Sequence, residues 1–251
     1  MQLTLHMFLI VCPLVFLGGF VDSIAGGGGL ITLPAYLFAG LPVHNAIATN
    51  KLSSSCGTVV SCFRFLKNKS VIIQLILPTV IAALIGSSIG ARLILMVSDR
   101  YIKYFLLFAL PIVAYFVVFR KNTIRDTEQT PISRSKQYTI AILASFLIGA
   151  YDGFYGPGTG TFLVLALTGF AKIDVKEASG NTKFINLASN IAALITFLIN
   201  GKILIPLGLA AALFSMAGNY LGSGMVLKNG ARIIRPIIVI VLVLLLIKIL
   251  L

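Results

Sequence analysis

Two aspartates lie in apolar sequence, each a few residues before a cluster of glycines. Asp22 stands in GGFVDSIAGGGGLITLP, and Asp152 stands in GAYDGFYGPGTGTF. A carboxylate at the centre of a membrane helix costs about 2.5–3.5 kcal/mol, so such a residue usually faces a cavity or a partner charge. Two interpretations are open for both residues. Each balances charge or carries a coupling proton in a transport pathway, or each caps the half-helix after the glycines or pairs with a lysine to hold the bend.

Two lysines lie inside apolar spans at matching positions of the sequence, and each has polar side chains on its own helix face. Lys183, Asn186 and Asn190 share one face because they are spaced three and four residues apart, and Lys51 with Ser54 repeats the pattern. One cation beside amide and hydroxyl donors suits an oxyanion, so we predict an anion-binding face in each helix. The alternative is that each lysine, about 9 Å into its helix, extends its side chain to the membrane interface.

The two glycine clusters, 26–29 and 156–160, should break any membrane helix that contains them. Backbone freed at membrane depth is tolerated only where it is buried in protein or lines a cavity, and the N-terminus of the next half-helix attracts anions. Close helix packing through small residues is the alternative. The candidate anion ligands are Lys51, Lys183, Asn50, Ser54, Asn181, Thr182, Asn186, Gly27, Gly28, Gly158 and Thr159, with Asp22 and Asp152 as groups for coupling or charge balance.

The composition places these residues in a membrane. The chain has 251 residues, of which 58% are hydrophobic and 11% charged, with a mean hydropathy of +1.02. Soluble domains have about 45–50% apolar and about 25% charged residues. The apolar stretches approach the length of about 20 residues that a spanning helix needs, and no alternating strand pattern of a membrane barrel occurs. We predict an all-α integral membrane protein.

The remaining composition excludes several classes of function. The net charge of +13 is spread thinly through short loops, which indicates membrane topology and contact with anionic lipid rather than nucleic-acid binding. The three cysteines form no CxxC pair, and no Ser–His–Asp order, HExxH or P-loop occurs. We therefore expect neither an enzyme nor a metal site nor a cofactor.

The sequence contains an internal repeat. Placing Asp22 on Asp152 aligns the two glycine clusters, and ATNK at 48–51 aligns with GNTK at 180–183 when the offset changes from 130 to 132. A polar stretch separates the copies. We predict an N-terminal membrane repeat over residues 1–119, a polar cytoplasmic linker over 120–137 and a C-terminal membrane repeat over 138–251.

Each repeat is predicted to contain five helical elements, giving about eight full spans and two short elements. The predicted bounds are 6–24, 30–40, 45–63, 71–97 and 101–119, then 137–154, 160–170, 178–199, 203–227 and 232–251. The second element of each repeat is about 11 residues, or about 17 Å of helix, which is too short to cross a membrane core of about 30 Å. The first two elements should therefore form a broken or re-entrant pair.

Charge in the loops predicts the orientation. Placing the linker in the cytoplasm puts 13 basic residues inside and 5 outside, as the positive-inside rule requires. Because five elements is an odd number, both termini should lie outside the cytoplasm and the two repeats should be inverted. Inverted repeats with broken helices are a transporter architecture, in which the site lies between the repeats near the midplane.

These motifs, in this order, resemble the TauE/SafE family of sulfite and organosulfonate transporters, also called the toluene sulfonate uptake permease family. GGFVDSIAGGGGLITLP, ATNK, GAYDGFYGPGTGTF and SGNTKFINLASN carry the resemblance, which extends along nearly the whole chain. It implies a multi-pass permease of the inner membrane for small sulfur-containing anions.

The predicted function is secondary transport of sulfite, an organosulfonate or a similar anion, by alternating access. A passive anion channel, a transporter of another small organic anion and a membrane scaffold are the alternatives. The expected partners are the anion and membrane lipid. A coupling ion such as a proton and a homo-oligomer are left open.

Overall fold

The computed structural model describes residues 3–98 and 132–229, together with residues 101, 232 and 233, and the elements in these ranges are α-helices. The first half contributes α1 (Leu5–Ala25), α2 (Gly29–Phe38), α3 (Val43–Lys67) and α4 (Ile73–Met96). The second half contributes α5 (Arg134–Phe154), α6 (Thr159–Gly169), α7 (Val175–Ile199) and α8 (Ile205–Asn229). The predicted all-helical class is confirmed, and the predicted helices over 101–119 and 232–251 fall almost wholly outside the described residues.

Among the described helices, α1, α4, α7 and α8 are long and apolar enough to cross a membrane. Helix α4 shows the surface that this requires, since exposed aliphatic side chains recur every four residues along one face of it. These are Ile73, Leu77, Ile81, Ile85, Ile89 and Leu93, exposed by 45–70% in the described part of the chain. A continuous apolar stripe of this size is typical of a surface that contacts lipid.

Glycines end α1 and begin α6, as predicted. Gly26 follows the last residue of α1 in the left-handed conformation, with φ of 74°, and its N–H donates to the carbonyl of Asp22 at 2.7 Å. Gly158 precedes α6 with φ of 84°. Only glycine adopts this conformation without strain. Helices α2 and α6 have 10 and 11 residues, so each is about 15–17 Å long and spans only part of a membrane core.

The two helix breaks lie against each other. The backbones of Gly26 and Gly160 are in contact, and a Cβ added to Gly29 would lie 3.0 Å from the Cα of Pro157. The hydroxyl of Thr161, near the start of α6, donates to the carbonyl of Ala25 at 2.7 Å. The glycine clusters therefore do two things: they end helices, and they let the backbones of the two breaks pack closely together.

The long helices pack mainly across the two halves: α1 packs on α8, and α4 packs on α5. A Cβ added to Gly218 would meet the carbonyl of Phe16, and one added to Gly86 would meet the carbonyl of Phe146. Gly86 and Gly218 are equivalent positions of the repeat, as are Phe16 and Phe146. The same glycine contact therefore occurs twice, with the halves exchanged, and it allows the close backbone approach typical of membrane helices.

The two lysine helices, α3 and α7, run antiparallel. The amide of Asn45, near the start of α3, donates to the carbonyl of Lys202, just after α7, at 2.9 Å. At the other end, Gly180, near the start of α7, packs closely against the backbone carbonyl of Ser70, just after α3. The two equivalent helices thus have opposite directions, and their polar faces meet.

The sequence placed the start of the first helix of the second half at about 137, whereas α5 begins at Arg134. Ser133 caps this helix, because its hydroxyl accepts a hydrogen bond from the N–H of Lys136 at 3.4 Å. The last residues of the predicted linker are therefore helical, and a serine cap is the local reason.

Candidate functional site

Each aspartate lies in the last turn of the helix before a break, and each lysine lies deep in its helix. Asp22 is three residues before the end of α1, and Asp152 is two before the end of α5. Lys51 and Lys183 each stand eight residues after the first residue of α3 or α7, or about 12 Å along the axis. Both lysines are buried, with 2% and 1% of their surface exposed. They turn inward and do not extend to the membrane interface.

The two lysines form ion pairs with the two aspartates, and both pairs cross between the halves. The ammonium of Lys51 lies 2.8 Å from a carboxylate oxygen of Asp152. The ammonium of Lys183 lies 3.2 Å from a carboxylate oxygen of Asp22 and also donates to the backbone carbonyl of Asp22. Because a buried charge is tolerated only when it is paired, each half depends on the other for its counter-charge.

Two hydroxyl groups also donate hydrogen bonds to the carboxylate of Asp152. Thr159, the first residue of α6, donates to one carboxylate oxygen at 2.8 Å, and Ser189 donates to the other at 2.6 Å. The ammonium of Lys51 also donates to the side-chain oxygen of Asn190 at 2.9 Å. The bond from Thr159 connects Asp152 to the half-helix after the break, a contact that fits the interpretation in which this aspartate holds the bend.

A small polar cavity, here called the central cavity, lies between the helix breaks and the lysine helices. Residues of both halves form its wall: Asp22, Gly26, Gly29, Asn50, Lys51, Ser54, Asp152, Gly156, Thr159, Asn186 and Asn190. The wall offers one ammonium, two carboxylates and several neutral donors. An anion that enters it must compete with a carboxylate for a lysine, because both lysines are already paired.

A second cavity lies on the other side of Asp22. Its wall is formed by Gly18, Gly19, Asp22, Gly28, Gly29, Thr32, Ser54, Ser215 and Asn219. Asp22, Gly29 and Ser54 belong to both cavities, so Asp22 stands between them. Within the described residues, the buried hydroxyl of Thr32 has no hydrogen-bond partner. Buried polar groups without a protein partner commonly bind ordered water.

Comparison with known proteins gives a family match over nearly the whole chain. The family model described as Sulfite exporter TauE/SafE matches residues 11–249. The chain belongs to the TauE/SafE family. The resemblance seen in the motifs is therefore confirmed, and the matched residues include both aspartates and both lysines of the crossed ion pairs.

Several relatives in the TauE/SafE family are named as probable membrane transporter proteins. The ORF9 protein of Sinorhizobium sp is 36% identical over 249 residues, which is 99% of this chain and 94% of that protein. The YfcA protein of Escherichia coli K12 is 33% identical over 247 residues, covering 95% and 90%. A Haemophilus influenzae protein is 35% identical over 241 residues, covering 96% and 93%. No solved structure matches the chain.

Most of the predicted site residues of this TauE/SafE protein come together around the two cavities. Asp22, Asn50, Lys51, Ser54, Asp152, Thr159 and Asn186 line the central cavity, and Gly28 lines the second. Lys183 lines neither, but its ammonium contacts Asp22. Gly27 and Gly158 lie in the breaks; the N–H groups of Gly27, Gly28 and Gly158 donate to no group in the described part of the chain.

Asn181 and Thr182 are placed elsewhere, since neither lines the central or the second cavity. The amide of Asn181 donates to the carbonyl of Glu177 at 3.0 Å, within its own helix. At 100° a residue, Asn181 lies about 200° around α7 from Lys183, so the two face different neighbours. A role of Asn181 and Thr182 as anion ligands stays a prediction.

Sequence reasoning missed Ser189, which donates to Asp152, and left Asn190 out of the candidate ligands. Asn190 was visible as the last member of the polar face that begins at Lys183. Ser189 had no such signal, because the repeat aligns it with Gly57, which has no side chain to match. A comparison that looks for what the two halves share cannot find a residue that only one half possesses.

Proposed function

We propose that this protein is a secondary transporter for small sulfur-containing anions, such as sulfite or an organosulfonate, working by alternating access. The observation that carries the proposal is the pair of crossed Lys–Asp contacts beside a polar cavity to which both halves contribute. A charged residue within a membrane bundle is costly and marks a transport pathway, and here four charges meet at one place. The family description, Sulfite exporter TauE/SafE, supports the substrate class.

The proposed architecture is a pair of inverted repeats, each of five elements, with the site between them. Two observations support it. The equivalent helices α3 and α7 run antiparallel, and the α1–α8 contact recurs as the α5–α4 contact with the halves exchanged. In transporters built this way, rocking of one repeat against the other exposes the site to each side in turn.

We place the protein in the inner membrane with both termini outside the cytoplasm. The distribution of basic residues is the argument, and reporter fusions test it. Alkaline phosphatase fused after Leu251 should be active and green fluorescent protein at the same position should be dark. The opposite result would contradict the proposed orientation.

The proposed anion site uses the ammonium groups of Lys51 and Lys183 with nearby neutral donors. The amides of Asn50 and Asn186 and the hydroxyl of Ser54 line the cavity. The N–H groups of Gly27, Gly28 and Gly158, which have no partner in the described part of the chain, add donors that suit an oxyanion. In the empty protein, Asp22 and Asp152 neutralise the lysines. The anion takes the place of a carboxylate as the counter-charge of a lysine.

Flux of labelled sulfite into proteoliposomes tests the lysine role. Lys183→Ala and Lys51→Ala should each lower the initial rate at least tenfold, because a hydrogen bond to a charged group contributes about 1.5–3 kcal/mol. Lys202→Ala is the matched control, since that lysine is exposed and outside both cavities. Normal flux in both lysine variants would refute the proposed site.

Two further measurements separate the alternatives. A thermal-shift screen with sulfite, sulfate, thiosulfate, sulfonates and carboxylates identifies the anion class, and a response to carboxylates alone would replace the sulfur anion by an organic one. Saturable flux with counterflow supports a transporter. Large currents without saturation would indicate a passive channel instead.

A further inference from the structure

The two crossed ion pairs differ in how firmly each carboxylate is held. The side chain of Asp152 is 2% exposed, and it accepts contacts from Lys51, Thr159 and Ser189. The side chain of Asp22 is 19% exposed, and within the described residues Lys183 is the one side chain that donates to it. Releasing three charge-assisted contacts costs more than releasing one. Asp152 is therefore the fixed carboxylate, and Asp22 is the exchangeable one.

The sequence accounts for this difference. The positions equivalent to Thr159 and Ser189 in the other half are Gly29 and Gly57, and glycine has no hydroxyl to offer. The repeat thus keeps both aspartates and both lysines but supplies hydroxyl donors on one side alone. The charged groups are therefore the same in the two halves, whereas the neutral groups that hydrogen-bond to the carboxylates differ.

The second cavity shows the same asymmetry. It borders Asp22 and brings together four neutral polar side chains, those of Thr32, Ser54, Ser215 and Asn219. The positions equivalent to Thr32 and Ser215 in the other half are Phe162 and Ala83, which have no polar atoms in their side chains. Thr32 is 96% buried, and its hydroxyl has no partner among the described residues, so this hydroxyl can bind a water molecule inside the cavity.

We propose that Asp22 is the proton-carrying group of this transporter, that Asp152 stays charged throughout the cycle, and that the second cavity holds the water that delivers the proton. The proposal rests on the proposed function, since it assigns the coupling ion and its carrier. A hydronium ion in the cavity gives its proton to a carboxylate oxygen of Asp22, which leaves water and a neutral carboxyl. Lys183 then loses its counter-charge and can bind the anion.

The charges around Asp22 agree with this step. The ionisable groups that face it from neighbouring helices are Lys183 on α7, Lys51 and Cys62 on α3, and Asp152 across the central cavity on α5. Lys51 is already balanced by Asp152. The walls contributed by α2 and α8 are neutral. One proton on Asp22 with one monovalent anion on Lys183 leaves the total charge of the site unchanged, so transport of that anion should be electroneutral.

Infrared spectroscopy of the purified full-length protein tests the assignment without any substrate. As the pH falls, a protonated-carboxyl band from a buried group should appear and shift in deuterium oxide. The band should be absent from Asp22→Asn and retained in Asp152→Asn, and Asp22→Glu should move its frequency. The glutamate variant serves if an asparagine variant does not fold. A band lost in Asp152→Asn and kept in Asp22→Asn would overturn the proposal.

Proteoliposomes test the coupling. With the lumen alkaline relative to the outside, wild-type uptake of labelled sulfite should accelerate, whereas uptake by Asp22→Asn should be slower and independent of the gradient. A sodium gradient that drives uptake in place of the proton gradient would refute the assignment. If the wild-type protein moves no anion, the proposed function fails, while the infrared band still decides which aspartate takes the proton.

Discussion

Lys51→Met tests whether the crossed pairs hold the two halves together. The change removes the ammonium but keeps a long side chain, and it leaves Asp152 2% exposed with two hydroxyl donors, Thr159 and Ser189. Removing one partner of a buried ion pair costs about 3–5 kcal/mol, whereas replacing both is often neutral. Because two hydrogen bonds remain on the carboxylate, we expect the lower end, about 3 kcal/mol of unfolding free energy.

The double variant with Asp152→Asn should recover most of that loss. Asparagine removes the uncompensated charge, and its side-chain oxygen can still accept a hydrogen bond from a neighbouring hydroxyl. We expect a coupling energy of about 2 kcal/mol in the double-mutant cycle. The matched cycle of Lys183→Met with Asp22→Asn should give a smaller value, because Asp22 is partly exposed.

Far-UV circular dichroism during an SDS titration in mixed micelles suits this measurement, since the chain has no tryptophan for fluorescence. A loss below about 1 kcal/mol for Lys51→Met, or effects that simply add in the double variant, would show that the pair does not stabilise the bundle. Equal coupling in both cycles would contradict the difference between the two aspartates.

Two further predictions concern contacts between the halves. Gly26→Ala should lower the yield of monodisperse protein in size-exclusion chromatography, because its Cβ would collide with the backbone of Gly160. Gly40→Ala is the control, since its Cβ would have nothing within 4 Å, and the change should cost only about 1–2 kcal/mol for the positive φ. Equal effects of the two changes would refute the close contact between Gly26 and Gly160. Ser61→Ala removes the 2.8 Å donor to the buried side-chain oxygen of Asn219 and should lower the free energy of unfolding by about 1–3 kcal/mol. A change in the SDS midpoint too small to measure would show that Asn219 does not need this donor.

The apolar stretches, and the helix-breaking residues between them, made most of the helices predictable. Glycine clusters and short polar loops fix where apolar helices can begin and end, so the predicted bounds of α1 and α4 differ from the observed ones by one or two residues. Helices α3 and α7 begin two or three residues earlier than predicted. Helix α3 begins directly after Pro42, and Asp174 caps α7 by accepting a hydrogen bond from the N–H of Lys176 at 2.8 Å. Local chemistry determines such ends, and local chemistry is readable from sequence.

The partners of the charged residues could not be predicted in the same way. The repeat identified two aspartates and two lysines, but pairing within each half and pairing across halves satisfy the same motif. The choice depends on which helices pack together, which the sequence pattern does not contain. The hydroxyl donors to Asp152 were hidden for a second reason, since the repeat emphasises what the halves share and Ser189 belongs to one half alone.

Lys51 and Lys183 each take their aspartate from the other half of the chain. In a self-complementary dimer, residue i of one copy contacts residue j of its twin, and j contacts i. The crossed pairs obey that rule within one polypeptide, which is the arrangement that fusing two copies of one gene preserves. Two copies from one gene must carry identical sides. The difference between Thr159 and Gly29 is one that a dimer of identical copies could not have, so the two sides of this chain hold their aspartates in different ways.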